Sequence, residues 1–168
     1  MPSSTVSEPV TDPHAILPVD MHRLAELFEF LGAEYALINK DESDALVLQT
    51  GLPHITIHID LDDDTLSAFA TWEGRAAAAE EDEVAAVVGD LNWELVAPTL
   101  SYSFGEDARG TEEIVICANR AMGVGEGLSR NQLGMFIASA FDSFGAAFDA
   151  LADALPQAVT WSDEEDAS

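Results

Sequence analysis

The sequence has few basic residues. Lys and Arg number 6 against 32 Asp and Glu in 168 residues, which gives a formal net charge of −26 at pH 7. Nucleic acids and anionic membrane surfaces are polyanions, and proteins that bind them rely on Lys and Arg. We therefore expect no nucleic acid and no membrane among the direct partners. Two explanations of the acidity stay open: solubility in a salt-adapted or acid-biased proteome, or an acidic face for a basic partner.

Cysteine is almost absent too. The single cysteine, Cys117, excludes an internal disulfide and lies in the apolar run IVICA. This setting predicts an inert thiol in the core. A chain that needs no disulfide fits a reducing compartment, so we expect a cytoplasmic protein.

Long apolar runs are also missing. Residues 1–15 show neither the basic start nor the apolar stretch of a secretory signal. No window approaches the roughly 18 uninterrupted apolar residues of a membrane span. The most apolar segment, near the C-terminus, is interrupted by Asp142, Asp149 and Asp153. The sequence predicts a soluble protein.

That segment is nevertheless the strongest feature present. Residues 128–155 place apolar side chains at steps of three and four, which predicts one long helix with a single broad apolar stripe. Ser129 and Gln132 have the spacing of a capping box, and Pro156 marks the end. The predicted stripe consists of Leu133, Phe136, Ile137, Ala140, Phe141, Phe144, Ala147, Phe148, Leu151 and Leu155.

The rest of the chain alternates between short strand patterns and two further helices. A helix is predicted from Asp20 to Gly32, and another follows the acidic cluster at Glu80–Glu83. Strands are predicted at 34–38, 45–50, 54–61, 66–72, 99–104 and 111–119. Short turns between consecutive strands favour an antiparallel sheet. The expected fold class is α+β, an antiparallel sheet flanked by helices in the order α-β-β-β(-β)-α-β-β-α. Residues 1–18 are predicted to be a disordered arm, 19–156 the domain and 157–168 an acidic tail.

Metal sites are weakly supported. His54, His58 and Asp60 alternate along a predicted strand and share a face, but alternate residues diverge and further ligands would be needed. The acidic run that starts at Asp60 lacks the Gly and Glu of a calcium loop, because Thr65 and Thr71 occupy those positions. A polar strand face and an acidic turn explain both patterns, so no metal is expected.

Other catalytic signatures are absent from the sequence as well. Gly123, Gly125 and Gly127 lack the spacing of a dinucleotide fingerprint, and no Lys-Ser or Lys-Thr pair follows them. There is no G-x-S-x-G motif. We therefore expect no cofactor, no catalytic residue and no enzyme. The alternative is a small enzyme or ligand-binding protein whose site is assembled from distant histidines and carboxylates.

Two sets of residues suggest binding to protein. Trp72, Trp93 and Trp161 belong either to the core or to an interface. The outer side of the last helix is weakly polar and bears small residues, which suits packing against a partner or a second copy of the chain. The candidate partner surface consists of Met135, Ala138, Ser139, Asp142 and Ala146.

Residues 19–156 resemble the YbjN-like family of bacterial domains, often labelled sensory transduction regulators. The resemblance rests on Asn92-Trp93 at a helix end, Pro98 at the entry to a strand, and the turn GLSRNQL at 127–133 into the last helix. It implies a fold similar to type III secretion chaperones, which are small, acidic, often dimeric and non-enzymatic, and bind extended client segments. It implies no catalytic residues. The expected function is therefore a non-enzymatic, chaperone-like protein-binding or regulatory domain, with a protein partner or a second copy.

Overall fold

The computed structural model describes residues 12–162. Within this range the chain forms three α-helices and six strands, with short 3-10 turns at Ala78–Glu80 and Pro156–Ala158. In chain order the elements are α1 Met21–Leu31, β1 Ala36–Asn39, β2 Leu46–Leu52, β3 Ile55–Asp62, β4 Thr65–Ala77, α2 Glu81–Glu94, β5 Thr99–Glu106, β6 Glu112–Gly123 and α3 Arg130–Ala154.

The strands form one antiparallel sheet in the order β1-β2-β3-β4-β6-β5. The first four strands are joined by successive turns. Helix α2 then separates β4 from β5, and β6 inserts between them. The predicted α+β class and element order are confirmed, with the fourth strand present before α2.

Strand alternation decides which side of the sheet is buried. Ile55, Ile57 and Ile59 of β3 are buried, and Ala68 and Ala70 stand opposite them in β4. The residues that alternate with these along each strand point to the opposite face, as expected for a sheet that is packed on one side. All three helices contribute to the single core on the buried face.

Helix α3 supplies much of that core. Of its predicted stripe, every residue is buried except Phe141, which is partly buried. Phe148 stacks on Trp72 of β4 with ring centroids 6.1 Å apart and planes 2° apart. Burying a large aromatic side chain contributes about 1.5–3 kcal/mol, so these contacts anchor α3 to the sheet.

The helix ends follow their sequence signals. The Asp20 carboxylate accepts the N–H of Arg23 at 2.8 Å, and Gly32 ends α1 in the left-handed conformation at φ 66°. At α3, the Ser129 hydroxyl accepts the N–H of Gln132, and the Gln132 side chain accepts the N–H of Ser129. The predicted capping box is confirmed.

The sequence prediction was wrong about the length of β4. Residues 73–77 continue the strand instead of leaving it. Gly74 and Ala76 are buried, as are the preceding alternate residues of β4. The run is poor in β-branched residues, so it does not look like a strand. Gly74 is required because a Cβ there would lie 2.6 Å from the Trp72 ring. Register against β6 shifts between Thr71 and Arg75, which accommodates this crowding.

Residues 12–18, predicted to be part of a disordered arm, are held against the domain. Leu17 forms an isolated antiparallel bridge with Leu128. The Arg23 guanidinium donates to the carbonyl oxygens of Leu17 at 2.7 Å and Leu128 at 3.0 Å, which ties this segment to α1 and to the start of α3. The remainder of the arm, residues 1–11, and residues 163–168 of the acidic tail lie outside the described residues.

Candidate functional site

The largest exposed apolar side chains that lie together are at the end of α1 and the start of α3. Phe30, Leu31 and Met135 are 68%, 55% and 72% exposed. With Arg130 and Ala138 they line an open groove of about 400 Å³. We call these five residues the α1–α3 patch. Clustered exposed apolar residues mark interaction surfaces more often than single ones do.

The patch arises because both helices carry apolar residues beyond the stripe that faces the core. In α1 the buried residues are Leu24, Ala25, Leu27 and Phe28. Phe30 and Leu31 lie beyond that stripe, directly before the terminating Gly32. In α3, Met135 lies on the side opposite the Phe-rich stripe. These exposed side chains make little contribution to the core, so a binding role suits them.

Basic side chains lie in the patch and near it. The Arg130 guanidinium lies 4.7 Å from the centroid of the Phe30 ring. Arg120 of β6 donates to the Ser139 hydroxyl at 2.6 Å and lies 5.9 Å from the Phe136 ring. Arg23 and Arg130 also line the cavity beside the patch. Three of the six basic residues therefore lie around this part of the surface.

The predicted partner surface overlaps the patch only in part. Met135 and Ala138 belong to both, and Ser139 is engaged by Arg120. Asp142 and Ala146 are exposed farther along α3. Sequence reasoning missed Phe30 and Leu31. The sequence did contain an indication of them. An apolar pair just before the glycine that ends the helix adds more apolar residues than a single buried stripe requires.

The other face of the sheet carries the predicted polar strand positions. His58 and Asp60 lie there, with Phe69 of β4 directly opposite His58. Asp60 forms an ion pair with Lys40, and this hydrogen bond and charge raise the pKa of Lys40. These side chains line an open depression of about 380 Å³ with Phe69 43% exposed. Its open form and its paired Lys40 do not resemble a buried acid–base site.

His54 does not join His58 and Asp60, so that part of the sequence expectation was wrong. It lies in the turn before β3 with a positive φ of 61° instead of within the strand. Its Nδ1 lies 2.7 Å from Glu73 Oε2 on the next strand. Among residues 12–162, no group of three or more His, Cys, Asp or Glu is placed to hold a metal ion.

Cys117 is buried, but not in the core beneath the helices. It stands opposite Thr71 in the register of β4 and β6, on the face with His58 and Phe69. Its Sγ lies 3.9 Å from Thr71 Oγ1. Burial raises the pKa of this thiol, which keeps it protonated and weakly nucleophilic. The predicted burial and inertness agree with this, and the register adds that the thiol lies on the sheet face opposite the helices.

The glycine-rich connector serves packing. Gly127 has a positive φ of 80°, and a Cβ there would lie 2.6 Å from the Leu17 carbonyl oxygen. A Cβ on Gly125 would lie 3.0 Å from the Asp64 carboxylate. The chain passes close to two other segments here, and the crowding explains these glycines without a phosphate ligand.

The three tryptophans have three different environments. Trp72 is in the core at 2% exposure, whereas Trp93 is 91% exposed near the end of α2. Trp161 folds back and meets Trp72 edge-on at 5.9 Å. Of the described tryptophans, Trp93 is therefore the one available for a partner, and the alternative of core packing was wrong for it.

Within residues 12–162, α3 is the one helix with the length and composition of a membrane span. Core helices of globular domains pass the same test. Eight α3 residues, including four of the large apolar ones at Leu133, Phe144, Phe148 and Leu151, are buried within the domain. The apolar character of α3 therefore has an explanation in the core.

An α+β domain with its helices on one face of an antiparallel sheet is the class that this geometry defines. The chain matches no known protein-family profile and no curated protein sequence. It does resemble solved structures. YbjN from E. coli, a proposed transcription regulator, is 15% identical with a TM-score of 0.60, over 83% of this chain and 96% of its own. An uncharacterized protein from Methanothermobacter thermautotrophicus is 11% identical with a TM-score of 0.53, over 84% of this chain and 100% of its own.

The fold is therefore that of YbjN. The resemblance to the YbjN-like family is confirmed at the level of fold, across most of both chains. At such low identity it carries no residue roles from one protein to the other.

Proposed function

We propose that the chain is a non-enzymatic regulatory domain that acts by binding protein, and that a second copy of the chain docks on the α1–α3 patch. The observation that carries the proposal is the exposure of Phe30, Leu31 and Met135 side by side. Burying such side chains from water favours association by about 25 cal/mol per Å² of apolar surface. A regulatory role agrees with the description of YbjN as a proposed transcription regulator.

Charge favours a second copy at this surface. Two chains of net charge −26 repel each other, so they associate most readily where the local charge is least negative. Arg23, Arg120 and Arg130 offset the carboxylates around the patch, among them Glu26 in the adjoining cavity.

Protein binding in the cytoplasm also agrees with the acidic composition and with the single buried cysteine. The acidic composition disfavours direct contact with DNA, so a regulator of this kind would work through other proteins. The single buried cysteine agrees with a reducing compartment. Chaperone-like binding of client segments belongs to the same proposal.

The enzyme alternative has less support. It needs His54 or His58 in a deep pocket beside buried carboxylates. Glu73, which contacts His54, has a side chain that is 57% exposed, and Asp60 near His58 is paired with Lys40. The two described carboxylates beside these histidines are therefore a largely exposed Glu73 and an Asp60 already paired with Lys40, which gives the alternative less support.

Sedimentation velocity from nanomolar to high micromolar concentration tests the proposal. The wild-type chain should convert from monomer to dimer, and Met135→Asp should shift the transition to higher concentration by at least about tenfold. Val96→Asp is the matched control because Val96 is also an exposed apolar residue but lies outside the patch. A wild-type chain that stays monomeric throughout, or an equal effect of both variants, would contradict docking at this patch.

A further inference from the structure

The edge of the sheet at β5 carries a pair of hydrogen bonds from a side chain. The amide of Asn92, near the end of α2, donates from Nδ2 to the carbonyl oxygen of Leu100 at 2.9 Å. Its Oδ1 accepts the N–H of Leu100 at 2.7 Å. A neighbouring strand would bond to both groups of one residue in the same way. Asn92 therefore takes the place of a strand at one position of β5.

This pair shows which backbone groups of β5 point outward. In an antiparallel sheet, successive residues direct their N–H and C=O groups alternately to the two sides. The backbone N–H and C=O groups of Ser101 and Ser103 therefore point toward β6. Those of Tyr102 and Phe104 point away from β6, as the groups of Leu100 do. Within residues 12–162 β5 is the last strand on its side of the sheet, so no strand pairs with the outward groups of Tyr102 and Phe104.

β5 also lacks the sequence features that often protect an edge strand. Its eight residues, TLSYSFGE, contain neither Lys nor Pro, and they pair with β6 in unbroken register. The opposite edge strand, β1, has only four residues. Phe104 is 46% exposed, with its ring 6.4 Å from that of Tyr102. A long, regular edge with an exposed aromatic side chain suits the addition of another strand.

The charges along this edge indicate what kind of strand would fit. Glu81 accepts the Tyr102 hydroxyl at 3.3 Å, and Glu106 ends β5 opposite Glu112 of β6. Burial, Glu81 and Asp82 together raise the pKa of Tyr102. A second copy of the same edge would bring the same carboxylates, which repel one another, whereas Lys or Arg on an incoming strand would be attracted.

We propose that the β5 edge from Tyr102 to Glu106 binds an extended segment of another protein in which an apolar residue and a Lys or Arg stand two positions apart, so that both lie on the face of Phe104 and Glu106. The segment joins the sheet through main-chain hydrogen bonds to Tyr102 and Phe104. Its apolar side chains pack on Phe104, and its basic side chains meet Glu81 and Glu106. Different elements carry the α1–α3 patch, so binding at this edge is independent of self-association there.

Amide hydrogen exchange on the full chain tests the position of the added strand. The probe is a synthetic N-acetylated peptide in which valine and lysine stand two positions apart with threonine between them, so that both face the same side of the strand. On saturation, exchange of the Tyr102 and Phe104 amides should slow by at least about tenfold, because they gain acceptors. The Ser101 and Ser103 amides, already bonded to β6, should change little. The absence of peptide binding, or binding without this alternating protection, would overturn the proposal.

Variants separate this site from general charge attraction. Glu106→Lys should weaken peptide binding about fivefold or more, whereas Glu112→Lys, the same charge change one strand inward, should weaken it less than about twofold. A peptide N-methylated at alternate residues keeps its charges but loses main-chain donors, and it should bind at least about tenfold more weakly. Equal effects of the two substitutions, or full binding of the methylated peptide, would contradict the added strand. Protection of Tyr102 and Phe104 that rises with protein concentration alone would instead indicate pairing between copies.

Discussion

The imidazole of His54 stacks on the indole of Trp161, with ring centroids 4.0 Å apart and planes tilted by 7°. This contact joins the turn before β3 to the segment that follows α3. Trp161 also meets Trp72, so the segment after α3 reaches the core aromatic residues. The chain beyond Pro156 is therefore part of the packed domain at least as far as Trp161.

Removing that indole should weaken the domain. Trp161→Ala should lower the free energy of unfolding by about 1–3 kcal/mol, because two aromatic contacts and their apolar area are lost. Urea denaturation followed by far-UV circular dichroism measures the change. Trp93→Ala is the control, and we expect a change within about 0.5 kcal/mol because its side chain is exposed. Equal effects of the two substitutions would show that Trp161 does not stabilise the fold.

Gly74 and Gly89 should respond in opposite ways to alanine. Gly74→Ala places a methyl group 2.6 Å from the Trp72 ring and should destabilise the domain by about 1–3 kcal/mol. Gly89→Ala has no atom within 4 Å of the new Cβ and lies inside α2, where alanine should stabilise by about 0.5–1 kcal/mol. Thermal denaturation of both variants measures the two signs. A Gly74→Ala variant as stable as the wild type would mean that Trp72 is free to move aside.

The capping box should contribute measurably to the stability of α3. Ser129→Ala removes the acceptor for the Gln132 N–H and should destabilise the domain by about 1 kcal/mol. Ser143→Ala is the matched control, because its hydroxyl donates to the Ala140 carbonyl within the same helix. Chemical denaturation should rank Ser129→Ala clearly below Ser143→Ala. The reverse order would be inconsistent with a capping role for Ser129.

Cys117 should make stability fall at alkaline pH. Burial raises the pKa of its thiol in the folded chain, so the folded state favours the protonated form. The stabilising contribution is complete below the unfolded pKa of about 8.5 and is lost as pH rises toward and through the folded pKa. Cys117→Ala should reduce the loss of stability between neutral and alkaline pH, as measured by denaturation at several pH values. An identical pH profile in the variant would show that the thiol is not the source.

Local sequence signals predicted the helices well. Capping by Asp20 and Ser129 and termination at Gly32 involve residues within a few positions of each other, so spacing alone is informative. The stripe of α3 was also predictable because helical periodicity selects its buried face. The same reasoning failed at β4, where residues 75–77 hold strand positions by pairing with residues 113–115 of β6, which are distant in sequence.

The candidate surfaces were predicted only in part. Met135 and Ala138 were found from the weakly polar side of α3. Phe30 joined them only when α1 packed beside α3. The free edge of β5 was not predicted, because it depends on β6 inserting between β4 and β5.

The sequence by itself determined the fold class, the order of elements, the capped Phe-rich helix and the excess of negative charge. These properties follow from composition and from patterns among residues close along the chain. Tertiary structure alone decided that His54 lies apart from His58, that Cys117 lies on the sheet face opposite the helices, and that the Leu100 backbone meets Asn92. Each of these depends on strand order and register, which bring together residues that are distant in sequence or separate residues that are near.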